Sequence, residues 1–107
     1  MLDKELIKRA ARAAGIELYE LGLTDADGNA QSALYRKATG GVFDPENSMA
    51  DAVSVANGAC LAVREEDFAW VVDSGFVRWV YPYGGKPYVA FVRGIIEVAA
   101  ASAWERA

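Results

Sequence analysis

The stretch Val42-Phe43-Asp44-Pro45-Glu46-Asn47-Ser48-Met49-Ala50-Asp51-Ala52-Val53 carries the sharpest local signal in this chain of 107 residues. Proline fixes its own φ and disfavours the helical region for the residue before it. No helix can therefore run through Asp44-Pro45, and one must begin afresh behind it. Ser48, with Asp51 three residues on, approximates a capping box. The hydroxyl can accept the Asp51 N–H, and the carboxylate sits in the electropositive first turn. Asn47 competes for the capping role. Met49, Ala52, Val53, Val55 and Ala56 then share one stripe at helical spacing. Asn57-Gly58 supplies a stop that tolerates left-handed φ, and Cys60-Leu61-Ala62-Val63 reads as the strand that follows.

Upstream, Asp3 is a good N-cap, and Leu2 and Ile7 occupy the two positions of a hydrophobic staple. Leu6, Ile7, Ala10, Ala13 and Ala14 give the first helix an apolar face opposite Lys4, Glu5, Lys8, Arg9 and Arg12, and Gly15 ends it. The basic side is read as a solvated face. Ile16-Glu17-Leu18-Tyr19 alternates as a strand, Thr24 to Ala30 turns, and Ala33-Leu34-Tyr35-Arg36-Lys37 returns. Asp25-Ala26-Asp27-Gly28-Asn29 matches the first five positions of an EF-hand loop. Ala30 then stands where glycine makes the bend, and Arg36 where a bidentate glutamate should hold calcium. The turn is read as a hairpin using Asp27-Gly28 with positive φ.

Downstream, Cys60 to Arg64, Phe68 to Val72 and Phe76 to Tyr81 are β-branched and aromatic, separated by Glu65-Glu66-Asp67 and Asp73-Ser74-Gly75. Both faces of these strands are apolar, which argues for a sheet covered on both sides. Pro87 suits a first helical turn. From Tyr88 onward Val89, Val92, Ile96, Ala99, Ala100 and Ala103 recur at helical spacing, with Trp104 placed to dock the end. Gly94 interrupts this helix at about 1 kcal/mol relative to Ala.

Three of these pieces together resemble the small phage and prophage proteins called phage alpha-beta-alpha sandwich domains. They are Ala10-Ala11-Arg12-Ala13-Ala14-Gly15-Ile16, then Phe43-Asp44-Pro45 with Ser48 through Ala56, then Arg93-Gly94-Ile95-Ile96-Glu97-Val98-Ala99-Ala100-Ala101. Phe43 and Asp44 stand where that group has Trp-Asn. The resemblance implies the sandwich and a life in a bacterial host cytoplasm; it implies no activity.

Composition bounds the function. A length of 107 residues predicts a single domain, 1–107, and 53% hydrophobic with 24% charged residues excludes a disordered chain. A net charge of −4 argues against nucleic acid as a partner. Charges at Asp3, Lys4 and Glu5 fill positions that a signal peptide keeps apolar, and no apolar run reaches the ~18 residues of a membrane span. A soluble, cytoplasmic protein is expected. With no histidine, the commonest general base and metal ligand is missing, and one cysteine excludes an internal disulfide. Cys60 opens an apolar strand and is read as structural. Gly84-Gly85-Lys86 looks like the end of a phosphate loop, but Pro87 takes the Ser/Thr position and Val80 the first glycine. Glu65-Glu66-Asp67 and Asp44/Glu46 read as solvated carboxylates. No cofactor, metal or catalytic residue is predicted.

The remaining candidate is an aromatic cluster, Trp79, Tyr81, Tyr83 and Tyr88 beside Arg78, made of residue types that dominate binding hot spots. The sequence therefore predicts an α+β domain, an antiparallel sheet of four or five strands with helices on both faces. It predicts a non-catalytic module that binds another protein or itself, as a homodimer through Trp79, Tyr81 or Tyr83. A small hydrolase or transferase using Asp/Glu, and a virion or assembly component, are the alternatives.

Overall fold

The computed structural model describes residues 2–75 and 77–102. In chain order the elements are α1 (Lys4–Ala13), β1 (Leu18–Thr24), β2 (Ala30–Arg36), α2 (Met49–Gly58), β3 (Ala62–Glu66), β4 (Ala69–Asp73), β5 (Arg78–Pro82) and α3 (Pro87–Ser102). The protein is α+β, with every strand pair antiparallel. Phe76, Ala103 and Trp104, to which the sequence assigned a strand start and a helix end, lie outside the described residues. Among the described residues no helix is long and apolar enough to cross a membrane.

The five strands form two sheets, a β1-β2 hairpin and a β3-β4-β5 meander, in place of the single sheet expected. The cause is local. Behind β2 the chain doubles back: Val42 bridges Tyr35, and the Phe43 N–H donates to Leu34 O at 2.8 Å. These contacts use the edge of β2 that a further strand would need. Asp44-Pro45 then turns the chain into α2, which carries it to the second sheet.

The expected cover of helices on both faces also needs correction. By register Val63, Trp70, Val72, Trp79 and Tyr81 share one side of the meander, and that side meets α3. The opposite side leaves Val80 59% exposed, while Val71 is buried between Arg64 and Val80 in the middle strand. Among the described residues central position in the sheet, not a second helical layer, accounts for an apolar residue there. The core lies where the three helices meet: Ile7, Ala10 and Ala11 of α1, Ala52 and Val55 of α2, and Val92, Ile95, Ile96 and Ala99 of α3, closed by Leu34 and Phe43.

Capping follows the sequence closely. The Asp3 carboxylate accepts the Glu5 N–H at 3.0 Å, and the Ser48 hydroxyl accepts the Asp51 N–H at 3.3 Å. Asn47 does not compete, because its amide donates to Asp44 Oδ2 at 2.8 Å. The hairpin turn is held by Asp25, whose carboxylate accepts the Asp27 and Asn29 N–H groups at 2.9 Å each; of the expected Asp27-Gly28 pair only Gly28 has positive φ, at 82°, because the connection between the strands is longer than two residues. β1 starts two residues later than expected and runs five residues further.

Two glycines serve close approach. Gly58, expected as the left-handed stop of α2, lies in the helix, and a Cβ there would stand 2.8 Å from the Ala14 Cβ where the ends of α1 and α2 meet. The left-handed residue is Cys60, at φ 58°, exposed in the turn and outside the strand assigned to it. Gly94, read as a weak point of α3, is where that helix touches the meander. A Cβ there would stand 2.9 Å from Tyr81 Cδ2 and 3.0 Å from Val72 Cγ2. The β3-β4 turn also departs from expectation. Glu65 and Glu66 belong to β3, so only Asp67 and Phe68 connect the strands, at φ 48° and 58°. Left-handed φ at a residue with a side chain costs of order 1–2 kcal/mol.

Candidate functional site

At the N-terminal end of α3 a cleft of about 410 Å³ is lined by Met49, Trp70, Pro87, Tyr88 and Phe91. Each comes from an element that the sequence places for its own reasons. Met49 follows the Ser48 cap as the first residue of α2 and is 54% exposed. Trp70 alternates with Val72 on the α3 side of β4. Pro87 opens α3, and Tyr88 and Phe91, three residues apart, lie on one helical face.

The rings pack on one another. Trp70 meets Phe91 edge to face at 4.9 Å between centroids and 60°, and Tyr83 at 5.7 Å and 46°. Tyr88 lies 6.4 Å from Phe91. Aromatic pairs in such geometry add about 0.5–1.5 kcal/mol each beyond area burial, which favours this arrangement of the rings.

The polar tips of these rings turn inward. The Trp70 indole N–H donates to Pro87 O at 2.9 Å, and the Tyr88 hydroxyl donates to Pro45 O at 3.1 Å. Burial pushes the Tyr88 hydroxyl pKa up, with the Asp44 and Asp51 charges adding to it. The cleft therefore offers ring faces, a proline ring and a thioether, with no free donor from Trp70 or Tyr88. The Tyr83 hydroxyl is buried without a hydrogen-bond partner among the described residues.

The structure divides the residues singled out in the sequence. Tyr83 and Tyr88 join the aromatic cluster. Tyr81 is half-buried against α3, and desolvation, then the nearby Glu97 charge, pushes its pKa up to about 12. Trp79 is 50% exposed opposite Val72, and Arg78 pairs with Asp73 at 3.5 Å at the far end of β5. The Asp73 carboxyl is held below its usual value first by the Gly75 N–H and then by Arg78. Trp70, Phe91, Met49 and Pro87 were missed as site residues. The three-residue spacing of Tyr88 and Phe91 was a signal; the contribution of Trp70 was not, because it depends on which side of β4 meets α3.

The carboxylates considered for chemistry have structural partners or face solvent. Asp44 Oδ2 accepts from Asn47, and Glu46 accepts the Leu2 N–H at 3.3 Å. Asp51 is buried, pairs with Arg36 at 2.9 Å and accepts the Asp44 N–H at 2.9 Å, while Arg36 stacks 5.0 Å over Phe43. Glu65, Glu66 and Asp67 are exposed. Among the described residues no group of three or more His, Cys, Asp or Glu could hold a metal ion. The chain matches no family model, no curated protein and no solved structure.

Proposed function

We propose that this protein is a non-catalytic, cytoplasmic binding module of phage or prophage origin that holds an apolar side chain of another protein in the cleft between α2, β4 and α3. The observation that carries the reading is the lining. Met49, Trp70, Pro87, Tyr88 and Phe91 form a concave apolar wall, and the polar tips of Trp70 and Tyr88 are already used internally. Aromatic anchors and pockets of this kind dominate the energetics of protein recognition. An enzyme using Asp or Glu is less favoured, since Asp44, Glu46 and Asp51 are engaged in holding the Asp44-Pro45 turn.

The test is selection from a displayed peptide library, followed by Met49→Lys. Met49 is half exposed at the lip of the cleft, so the substitution places a charge there without disturbing the core. Peptides enriched in large apolar residues that lose binding to the variant by roughly tenfold or more would support the reading. No enrichment, or equal affinity for the variant, would overturn it.

A further inference from the structure

The turn between β3 and β4 places phenylalanine where one copy of the chain gains nothing from it. Asp67 and Phe68 both have left-handed φ, a two-residue hairpin geometry whose second position favours glycine. Phe68 is 85% exposed, more than any other large apolar side chain described. Neither backbone preference nor burial explains the residue, and a side chain held against both points to a role outside its own fold. Glu65, Glu66 and Asp67 precede it in sequence, all exposed, and among the described residues Arg64 pairs with Glu66. An acidic tip is repelled by an anionic membrane surface, so a protein surface is the fitting receptor.

A receptor of matching character lies on the same chain. A cleft of about 620 Å³ beside the end of α1 has Ile16, Leu18 and Leu34 in its lining, with Lys8, Arg12 and Lys37. Lys8 is neutralised by Glu5 and Glu20, which also lines the cleft with Glu17. Arg12 and Lys37 have no hydrogen-bonded side-chain partner or ion pair among the described residues and outnumber Glu17, so the cleft keeps a surplus of one positive charge on a chain of net charge −4. The tip does not reach its own cleft. Phe68 is absent from the lining of that cleft and is exposed on its own chain.

We infer that two copies form a two-fold dimer in which Phe68 of each enters the Ile16, Leu18 and Leu34 cleft of the other, with Glu65 and Asp67 against Arg12 and Lys37. One aromatic anchor buries about 150–250 Å², far less than the roughly 1,200–2,000 Å² of a stable interface. Two reciprocal contacts about a closed axis bring both tips and both rims into the interface. The dimer leaves the α3 cleft to a different protein and presents two copies of it, which raises avidity for a repeated target.

Sedimentation over a concentration series tests this. Wild type should shift from one chain mass to two. Phe68→Gly should weaken the dimer roughly thirtyfold, yet raise the melting temperature of the dilute monomer by about 4 °C, because the turn then has its preferred residue. Reversing the tip alone (Glu65→Lys with Asp67→Lys) or the rim alone (Arg12→Glu with Lys37→Glu) should give monomers, and combining all four should restore the dimer. A wild type that stays monomeric, a Phe68→Gly dimer of unchanged affinity, or a four-fold variant as monomeric as its parents would overturn the proposal.

Discussion

Replacing Gly94 by alanine sets two effects of known sign against each other. In a helix interior alanine is favoured over glycine by about 1 kcal/mol, so propensity alone makes Gly94→Ala stabilising. The new methyl, however, would stand 2.9 Å from Tyr81 Cδ2 and 3.0 Å from Val72 Cγ2. Both distances are well inside the ~3.5–4.0 Å optimum between carbon atoms. Val72 is fully buried in the middle strand and cannot withdraw, and the half-buried Tyr81 ring can move only by opening the seam between α3 and β5. Overpacking of this kind costs about 1–3 kcal/mol, which leaves a net loss of about 1 kcal/mol and a melting temperature lower by about 4 °C. Urea unfolding of Gly94→Ala, Val72→Ala and the double variant measures it. The double variant should lose less than the sum of the singles, because Val72→Ala removes the colliding methyl. A Gly94→Ala protein more stable than wild type would refute the claim that close approach decides this residue.

Two further outcomes follow from local geometry. Ser48→Ala should destabilise the domain by about 1 kcal/mol, and Asn47→Ala by less, as read from denaturant midpoints; the reverse order would place the cap one residue earlier. The Glu20 carboxyl is lowered from 4.5 to about 2, first by Lys8, then by Ser32 and Lys4. Its folded pKa lies below its unfolded one, so its stabilisation is present above about pH 4.5 and is lost as pH falls through about 2. Glu20→Gln should therefore flatten the acid limb of the stability profile, and an unchanged limb would remove Glu20 from the account.

Features governed by neighbours in sequence were legible. The Asp44-Pro45 break, the Ser48 and Asp3 caps and the Gly28 turn each depend on a few adjacent residues, and the structure has them where the sequence placed them. The exception was Gly58, where local preference for a left-handed stop yielded to the packing of Ala14 and the turn moved to Cys60. Features governed by distant contacts were not legible. The split into two sheets depends on Val42 and Phe43 taking the edge of β2. The role of Gly94 depends on Tyr81 and Val72, and the aromatic cleft depends on Trp70 meeting Phe91 across two elements. Phe68 was read as the start of a strand because aromatic residues favour strands, and nothing in its neighbours announced a left-handed turn.

The position of α3 in the core bears on how the chain folds while it is being made. α1, α2, β4 and β5 all pack on α3, which follows every one of them in sequence. At 5–20 residues per second, roughly 5–20 s separate the synthesis of α1 from that of α3. During that interval Ile7, Ala10, Ala52, Val55 and Val72 lack the surface that buries them. The β1-β2 hairpin and the meander can close early, since their pairings are local, but the helices must wait. The nascent chain therefore emerges as two ribbons and two amphipathic helices that lack α3, and acquires cooperative stability only when Ile95 and Ile96 arrive.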